Sequence, residues 1–306
     1  MIASRTSPPT RIAVTGASGL IGTALCLQLE SSGHEVVRLV RRQATNRNEV
    51  TWDPARGTLN TEALAGVVAV VHLAGENLSG GRWTSARRRR IRDSRIAGTR
   101  LLATVLANLN VTPRALICAS AIGFYGDRGD DILTEASPKG EGFLADLVAD
   151  WEAAADPARQ AGIRVVSVRT GIVLTPLGGA LKLMLPPFRL GLGGPLGSGR
   201  HWMSWISLDD VVGVLLAAIE NDTWRGPVNA VTDSPVRNWE FAEVLAGVLR
   251  RPAVLRVPAS ALDLLLGDLA REAVLASTRV LPAQLEAWGH ALEDHELGPT
   301  LRRLVE

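Results

Sequence analysis

The stretch from Arg11 to Arg42 leaves this chain few folds to choose from. Ile12 to Thr15 is an apolar run of strand length, and GASGLIG, Gly16 to Gly22, follows at once and opens an amphipathic segment. A second apolar run, Val36 to Val40, comes after the helix-ending Gly33. Strand, helix and strand therefore close in about 30 residues, the size of a dinucleotide-binding β-α-β unit. Each glycine has its own reason to be there. Gly16 permits the tight turn, Gly19 lets backbone approach a pyrophosphate, and Gly22 lets the helix pack on the strand. The first N–H groups of the helix then face the anion. The spacing is GxxGxxG, and no Lys-Ser/Thr follows its last glycine, which argues against a triphosphate-binding P-loop. Candidate cofactor contacts in this unit are Gly16, Ser18, Gly19, Leu20, Ile21 and Gly22.

The end of the second strand bears on which dinucleotide would fit. Sites for NAD place Asp or Glu there to accept hydrogen bonds from the ribose, and that carboxylate repels a 2′-phosphate. Here the strand ends in Val40, Arg41 and Arg42, and the only acid nearby is Glu35, at the wrong end. An arginine can meet a phosphate with a bidentate, charge-assisted pair and stack on adenine. The expectation is NADP(H), with Arg41 as first contact and Arg42 as its neighbour. Two basic residues solvating a strand end are the alternative.

Further along, Val67 to Leu73 is apolar except at His72, the pattern of a strand buried on both faces of a parallel sheet. Ligands of such sheets lie beyond the carboxyl ends of the strands, so Leu73, Ala74 and Gly75 are expected at the cofactor. His72 reads as a core histidine bonded to backbone. Trp83 to Asn108 predicts one long helix, in which Arg87 to Arg90 form a solvated face. Arg95 stands beside Ala97 and Gly98, small residues that let a helix approach the sheet, and is expected to point inward to the cofactor. The strand Arg114 to Ala119 ends at Ser120, Phe143 to Gln160 reads as a helix, and Ile163 to Val168 as another buried strand. From Arg169 the texture changes. Ile172 joins the candidate cofactor set, and a Pro/Gly-rich stretch from Pro186 to Gly199 is too long and irregular for a simple connector. Ser207 is the expected N-cap of a helix running to Glu220.

Taken together, these segments predict an α/β fold: a Rossmann-type, doubly wound parallel sheet with a smaller, mostly helical C-terminal substrate lobe. The expected organisation is a flexible tail over 1–10, a cofactor domain over 11–169, and a lobe over 170–306 that exchanges segments with it. With 306 residues, 46% of them hydrophobic, there is ample material for such a core. A net charge of +2 from 33 basic and 31 acidic residues gives no electrostatic case for nucleic acid or membrane partners. Cys26 and Cys118 both sit in apolar sequence, as buried thiols of a reducing compartment do. No leader or membrane span is visible, no metal site is expected, and the reading is cytosolic, with a small-molecule substrate as partner and an oligomer left open.

The stretches AGENLSGGRW, IRDSRIAGTRLL, WEAAA, PFRLGLGGPLGSGRHWMSWI and STRVLP carry a further signal. With them, the chain resembles the extended short-chain dehydrogenase/reductase superfamily from about Arg11 to the C-terminus. Within it, the similarity is to an epimerase subfamily of NAD(P)-binding proteins, some of which carry a cell-division-inhibitor label. The resemblance implies NADP(H) held by a doubly wound domain, with the lobe over the nicotinamide. It also exposes a departure. The superfamily's proton chemistry rests on a Tyr-x-x-x-Lys pair at the start of a helix, the lysine lowering the tyrosine pKa. At the expected helix this chain has Phe143 and, four residues on, Leu147, and its single tyrosine is Tyr125. Of the usual triad Ser120 is the one candidate left; the alternatives are that Ala121 holds the family's Ser/Thr place and that Ser120 satisfies backbone at the strand end. Glu76, Glu141, Tyr125 and His201 are the candidate replacement acids, and Arg82, Arg200 and Trp202 candidate clamps for a polar substrate. Three functions follow: an NADP(H)-dependent oxidoreductase or epimerase-like enzyme, an NADPH-binding module without turnover, and a sugar-nucleotide epimerase or dehydratase of ordinary mechanism.

Overall fold

A computed structural model describes residues 10–78 and 81–306. All but Thr10 of the expected N-terminal tail, and two residues of the AGENLSGGRW stretch, lie outside these. Strand β1 (Arg11–Thr15) runs through the glycine turn into helix α1 (Leu20–Ser31). Gly33, at φ +85°, ends that helix: its N–H donates to the Glu30 carbonyl and that of His34 to the Leu29 carbonyl, closing a Schellman motif. The chain then enters β2 (Glu35–Val40), which pairs parallel with β1.

Six further strands complete the sheet: β3 (Glu49–Asp53), β4 (Thr58–Leu59), β5 (Val67–His72), β6 (Ala115–Ala121), β7 (Arg164–Thr170) and β8 (Gly226–Ala230). Their spatial order is β8-β7-β6-β5-β1-β2-β3-β4, and only the edge pair β3/β4 is antiparallel. The chain leaves β1 toward β4, then crosses back to β5 on the other side of β1. That reversal is the topological switch point at which open α/β sheets bind ligands.

Side chains alternate between the two faces, as period 2 requires. Ile12, Val14, Val71 and Ile117 pack against α1 and against α6 (Leu208–Glu220). Ala13, Val70 and Leu116 pack against α2 (Ser85–Ala107) and the segment Ala155–Ala158. Ser207 caps α6, its hydroxyl accepting the Asp210 N–H at 3.1 Å. Both α6 and β8, from beyond residue 169, thus belong to the main sheet and its cover. A separate core of Leu174, Leu181, Phe188, Trp205, Phe241 and Leu301 holds the rest of the C-terminal half together.

Two local expectations are corrected. The helix expected over 143–160 is two, α3 (Phe143–Ala153) and α4 (Asp156–Gln160). Pro157 has no N–H with which to continue the ladder, so the chain restarts with that proline in the first turn of α4. Conversely, Pro186 and Pro187 do not begin an irregular stretch but lie inside α5 (Gly179–Arg189). Leu181, Leu185 and Phe188 are all buried on one face of α5, and that packing outweighs the hydrogen bonds the prolines remove.

Candidate functional site

The glycine turn is shaped by backbone collisions that any side chain would cause. Gly16 has φ +67°, and a β-carbon there would lie 2.8 Å from the Leu73 carbonyl carbon and 2.9 Å from the Ala74 nitrogen. At Gly22 a β-carbon would lie 2.2 Å from the Gly16 carbonyl oxygen. The Gly19 N–H donates to that same oxygen at 2.9 Å. Gly19 is also the N-cap of α1, and no side chain caps the helix. The first-turn N–H groups, of Leu20, Ile21 and Gly22, are therefore left for an anion.

Thr15, the last residue of β1, ties this turn to the next strand. Its hydroxyl accepts the N–H groups of Leu73 and Ala74, both at 3.1 Å, and lies 2.7 Å from His72 Nδ1. With both lone pairs occupied, the hydroxyl proton goes to Nδ1, which leaves the imidazole proton on Nε2. His72 is wholly buried, and burial pushes its pKa down to about 4, so it is neutral. It is a core histidine, as expected, but its bond is to a side chain rather than to backbone.

These turns floor a cleft of about 910 Å³ beyond the carboxyl ends of β1, β2, β3 and β5. Gly16, Ser18, Gly19, Leu73, Ala74 and Gly75 line it, together with Arg41 and Arg42. Leu20, Ile21 and Gly22 do not, and can contribute only backbone N–H groups at its edge. Ile172 is half-buried on a short strand (Ile172–Leu174) paired with Trp205–Ser207 and forms no part of this wall.

Arg95 points inward, as expected, yet does not reach the cleft. It is 9% exposed and lies behind Gly75, donating to the carbonyls of Glu76 at 3.0 Å and Ile91 at 3.3 Å. Burial pushes its pKa down to about 10. Its place is that of a prop for the Gly75–Glu76 turn. The arginines at the strand end also differ from each other. Glu49 reaches across from β3 and takes Arg42 in a bidentate pair, at 2.7 and 2.5 Å. That guanidinium, with the Thr45 N–H second, holds the Glu49 carboxyl at about 2. The expectation that Glu35 is the only acid nearby is thereby overturned. Arg41 has no ion pair or hydrogen bond among the described residues.

On the other side of β5, Ser120 does not stand free. Its hydroxyl donates to Glu152 Oε1 at 2.6 Å, and Glu152 is held by Arg169 through two bonds of 2.8 Å. Arg169 also donates to the Tyr125 hydroxyl at 3.1 Å, and that hydroxyl donates to Asn229 Oδ1 at 2.7 Å. Five buried or nearly buried groups thus form one chain of bonds linking β6, α3, β7 and β8. Burial, opposed by the Arg169 charge, raises the Tyr125 pKa, the wrong direction for a base near neutral pH. Phe143 and Leu147 meet Trp83, Leu144 and Leu269 in an apolar cluster, with the Phe143 ring edge-on to Trp83. Of the other candidate acids, Glu76 lines the cleft and Glu141 is exposed. His201 is buried, and burial pushes its pKa down. Arg82 and Arg200 are exposed, and Trp202 lies between the guanidiniums of Arg237 and Arg279.

The sequence reading missed Arg90 and Asp93, which line the cleft from α2, and Glu49 and Glu152, whose partners come from other elements. Spacing held a signal for the first two. Arg90, Asp93, Ser94 and Ala97 stand at i, i+3, i+4 and i+7, one stripe of a helix.

Comparison with known proteins agrees with this architecture. The model of the NAD dependent epimerase/dehydratase family matches residues 12–229, and a domain of unknown function, DUF1731, matches 257–304. An epimerase family protein of Mycobacterium tuberculosis is 43% identical over 290 residues, which are 95% of this chain and 96% of that protein. The crystal structure of human epimerase family protein SDR39U1 with NADPH superposes with a TM-score of 0.87 at 34% identity, over 96% of this chain and 99% of the human one. A nucleoside-diphosphate sugar epimerase from Corynebacterium glutamicum superposes with a TM-score of 0.81 at 36% identity; 98% of this chain covers 59% of that longer one. The chain accordingly belongs to the NAD dependent epimerase/dehydratase family, within the extended short-chain dehydrogenases/reductases.

Proposed function

We propose that the protein is an NADP(H)-dependent oxidoreductase or epimerase-like enzyme of the cytosol, acting on a small polar substrate. The observation that carries the cofactor choice is Arg41 at the end of β2, unpaired among the described residues and lining a cleft in which Glu49 is already neutralised by Arg42. The residues present fit the group: glycines at positions where a β-carbon would strike backbone, uncapped N–H groups for the pyrophosphate, and a free guanidinium for the 2′-phosphate. The NADPH held by the human relative supports the same choice. When bound, the dinucleotide supplies or accepts hydride. This chain's residues hold its adenosine half, and the wall beyond β6 brings no Tyr–Lys pair to the other half.

That last point favours a second reading, an NADPH-binding module without turnover. Ser120 and Tyr125 donate their protons within the buried network and offer none to a ligand. It also counts against a sugar-nucleotide epimerase of ordinary mechanism. One experiment separates the readings: NADPH is titrated into pure protein, then its oxidation is followed with a panel of carbonyl and enone compounds. Enones belong in the panel because the enolate formed on hydride addition can take its proton from water. Sustained turnover removes the binding-module reading; stoichiometric binding with no oxidation of any compound supports it. The cofactor choice has its own check. Hydrogen bonds to charged groups are worth about 1.5–3 kcal/mol, so Arg41→Ala should weaken NADPH about 10- to 150-fold and leave NADH nearly unchanged. Equal losses for both cofactors refute it.

A further inference from the structure

Helix α2 brings one more cation to the cleft. Its stripe of Arg90, Asp93, Ser94 and Ala97 lines the cleft together with residues at the ends of β2 and β3, with Arg90 at the N-terminal end of the stripe. We infer that Arg90 closes on the cofactor's 2′-phosphate from α2 while Arg41 meets it from the end of β2, so that the two guanidiniums together set the preference for NADP(H). This deepens the cofactor reading above and rests on it.

The argument is one of unspent charge. Four arginines line the cleft, and two of them are already neutralised: Arg38 donates to Glu30 at 2.5 Å, and Arg42 is held by Glu49. Arg89 beside it is exposed and makes no pair among the described residues, but it does not line the cleft; the other arginines around Arg90 on α2 are engaged. Arg87 donates to the Asn77 carbonyl, while Arg88 pairs with Asp268 and Arg92 with Asp150. Arg41 and Arg90 alone, of the four at the cleft, make no ion pair or hydrogen bond among the described residues. A phosphate monoester carries about −1.5 to −2 charges near neutral pH. One guanidinium leaves much of that uncompensated, whereas two, one at the end of β2 and one on α2, match it. Of the four acids at the cleft, Glu49 and Asp53 are engaged, while the charge of Asp93 is one that the two guanidiniums must outweigh. Glu49 belongs to Arg42, and Asp53 Oδ1 accepts the N–H groups of Ala55 and Arg56. Asp93, one turn along the same stripe, forms no ion pair with Arg90. Glu76 lies with Gly75 beyond β5, on the pyrophosphate side.

Calorimetric titration of NADPH, NADH and 2′,5′-ADP into wild type, Arg90→Ala, Arg90→Glu and Arg41→Ala/Arg90→Ala tests the assignment. Arg90 is exposed, and thermal melts verify that each variant is folded. Arg90→Ala should weaken NADPH and 2′,5′-ADP about tenfold or more, the lower range for a hydrogen bond to a charged group, and leave NADH within about twofold. Arg90→Glu should weaken the two phosphorylated ligands further, and the double variant should bind NADPH and NADH alike. A wild type that prefers NADPH combined with an Arg90→Ala that binds it unchanged overturns the role of Arg90 and leaves the cofactor reading standing. Equal losses for NADPH and NADH also overturn it, because they would move Arg90 to the pyrophosphate. A wild type with no preference for NADPH overturns the cofactor reading, and this inference falls with it.

Discussion

Replacing Glu152 by Ala should be among the most damaging single changes outside the glycine turn, because of what it leaves behind. The Arg169 side chain is 4% exposed and its two shortest bonds go to the Glu152 carboxylate, whose own side chain is 15% exposed. Without that carboxylate, the guanidinium keeps, among the described residues, the hydroxyl and ring of Tyr125 and the face of the Phe124 ring, 3.5 Å from its centre. Removing one partner of a buried ion pair costs about 3–5 kcal/mol, since the other charge stays desolvated and unpaired. For chains somewhat shorter than this one, 1 kcal/mol corresponds to roughly 2–4 °C in melting temperature, so a fall of about 6–10 °C is expected at the lower rate. The double variant Glu152→Ala/Arg169→Met distinguishes an orphaned charge from mere lost packing. It removes the charge as well, and should be more stable than Glu152→Ala alone. Urea unfolding of wild type, both single variants and the double variant gives the coupling directly. A loss below about 1 kcal/mol in Glu152→Ala, or a double variant no better than the single one, would refute the argument from buried charge.

Three further outcomes are expected. Gly22→Ala should lower stability by about 1–3 kcal/mol, the usual range for overpacking, and impair NADPH binding, because its β-carbon would lie 2.2 Å from the Gly16 carbonyl oxygen and neither backbone can swing aside; unchanged unfolding and NADPH titration curves would contradict this. Ser120→Ala should reduce any turnover by about tenfold or less, below the 10²–10⁴-fold typical of general acid–base groups, because its hydroxyl serves Glu152; a loss in the higher range, with the fold intact, would make Ser120 central. His72, with a folded pKa of about 4 against 6.5 unfolded, lets the unfolded chain bind a proton first as pH falls. Its contribution is therefore complete above pH 6.5 and is lost on the way down to pH 4, about 3 kcal/mol in all at 1.36 kcal/mol per unit. The fall in urea stability between pH 7.5 and 4.5 should be visibly shallower in His72→Gln than in wild type, and equal slopes would assign the acid sensitivity elsewhere.

What could be read from sequence was what neighbouring residues decide among themselves. The contacts of Gly19 and Gly22 with the Gly16 carbonyl, the Schellman end at Gly33 and the Ser207 cap each depend on groups within six residues of one another, and all stand where expected. Strand periodicity likewise identifies both buried faces of β1 and β5. Partners set by strand register were out of reach. Glu49 lies opposite Arg38 in the β2/β3 pairing, and nothing in its own neighbourhood says that it will take up Arg42. Pro186 and Pro187 misled for a related reason: the apolar face of α5 meets a core built from Trp205, Phe241 and Leu301, far along the chain. Arg90 was hidden by company. In a run of four arginines only the position of the helix against the sheet decides which one faces a cleft.

The two halves of the site are made of different material, and that explains how one can persist without the other. The proposed cofactor half is made largely of backbone: turns at Gly16 and Leu73–Gly75, the uncapped end of α1, and a threonine that ties them together. Substitution there meets backbone collisions. The superfamily's proton-handling half rests on two side chains at the start of α3, and exchanging them for apolar groups creates no clash. Phe143 and Leu147 simply extend a cluster with Trp83 and Leu269. The segment beyond Leu266 adds to the same place, since the Leu144 N–H at the start of α3 donates to Glu272 at 2.8 Å. Packing of this kind stabilises the fold while withdrawing the groups that would move a proton. Binding of a dinucleotide and turnover of a substrate consequently rest on separate parts of the proposed site, and each needs its own measurement.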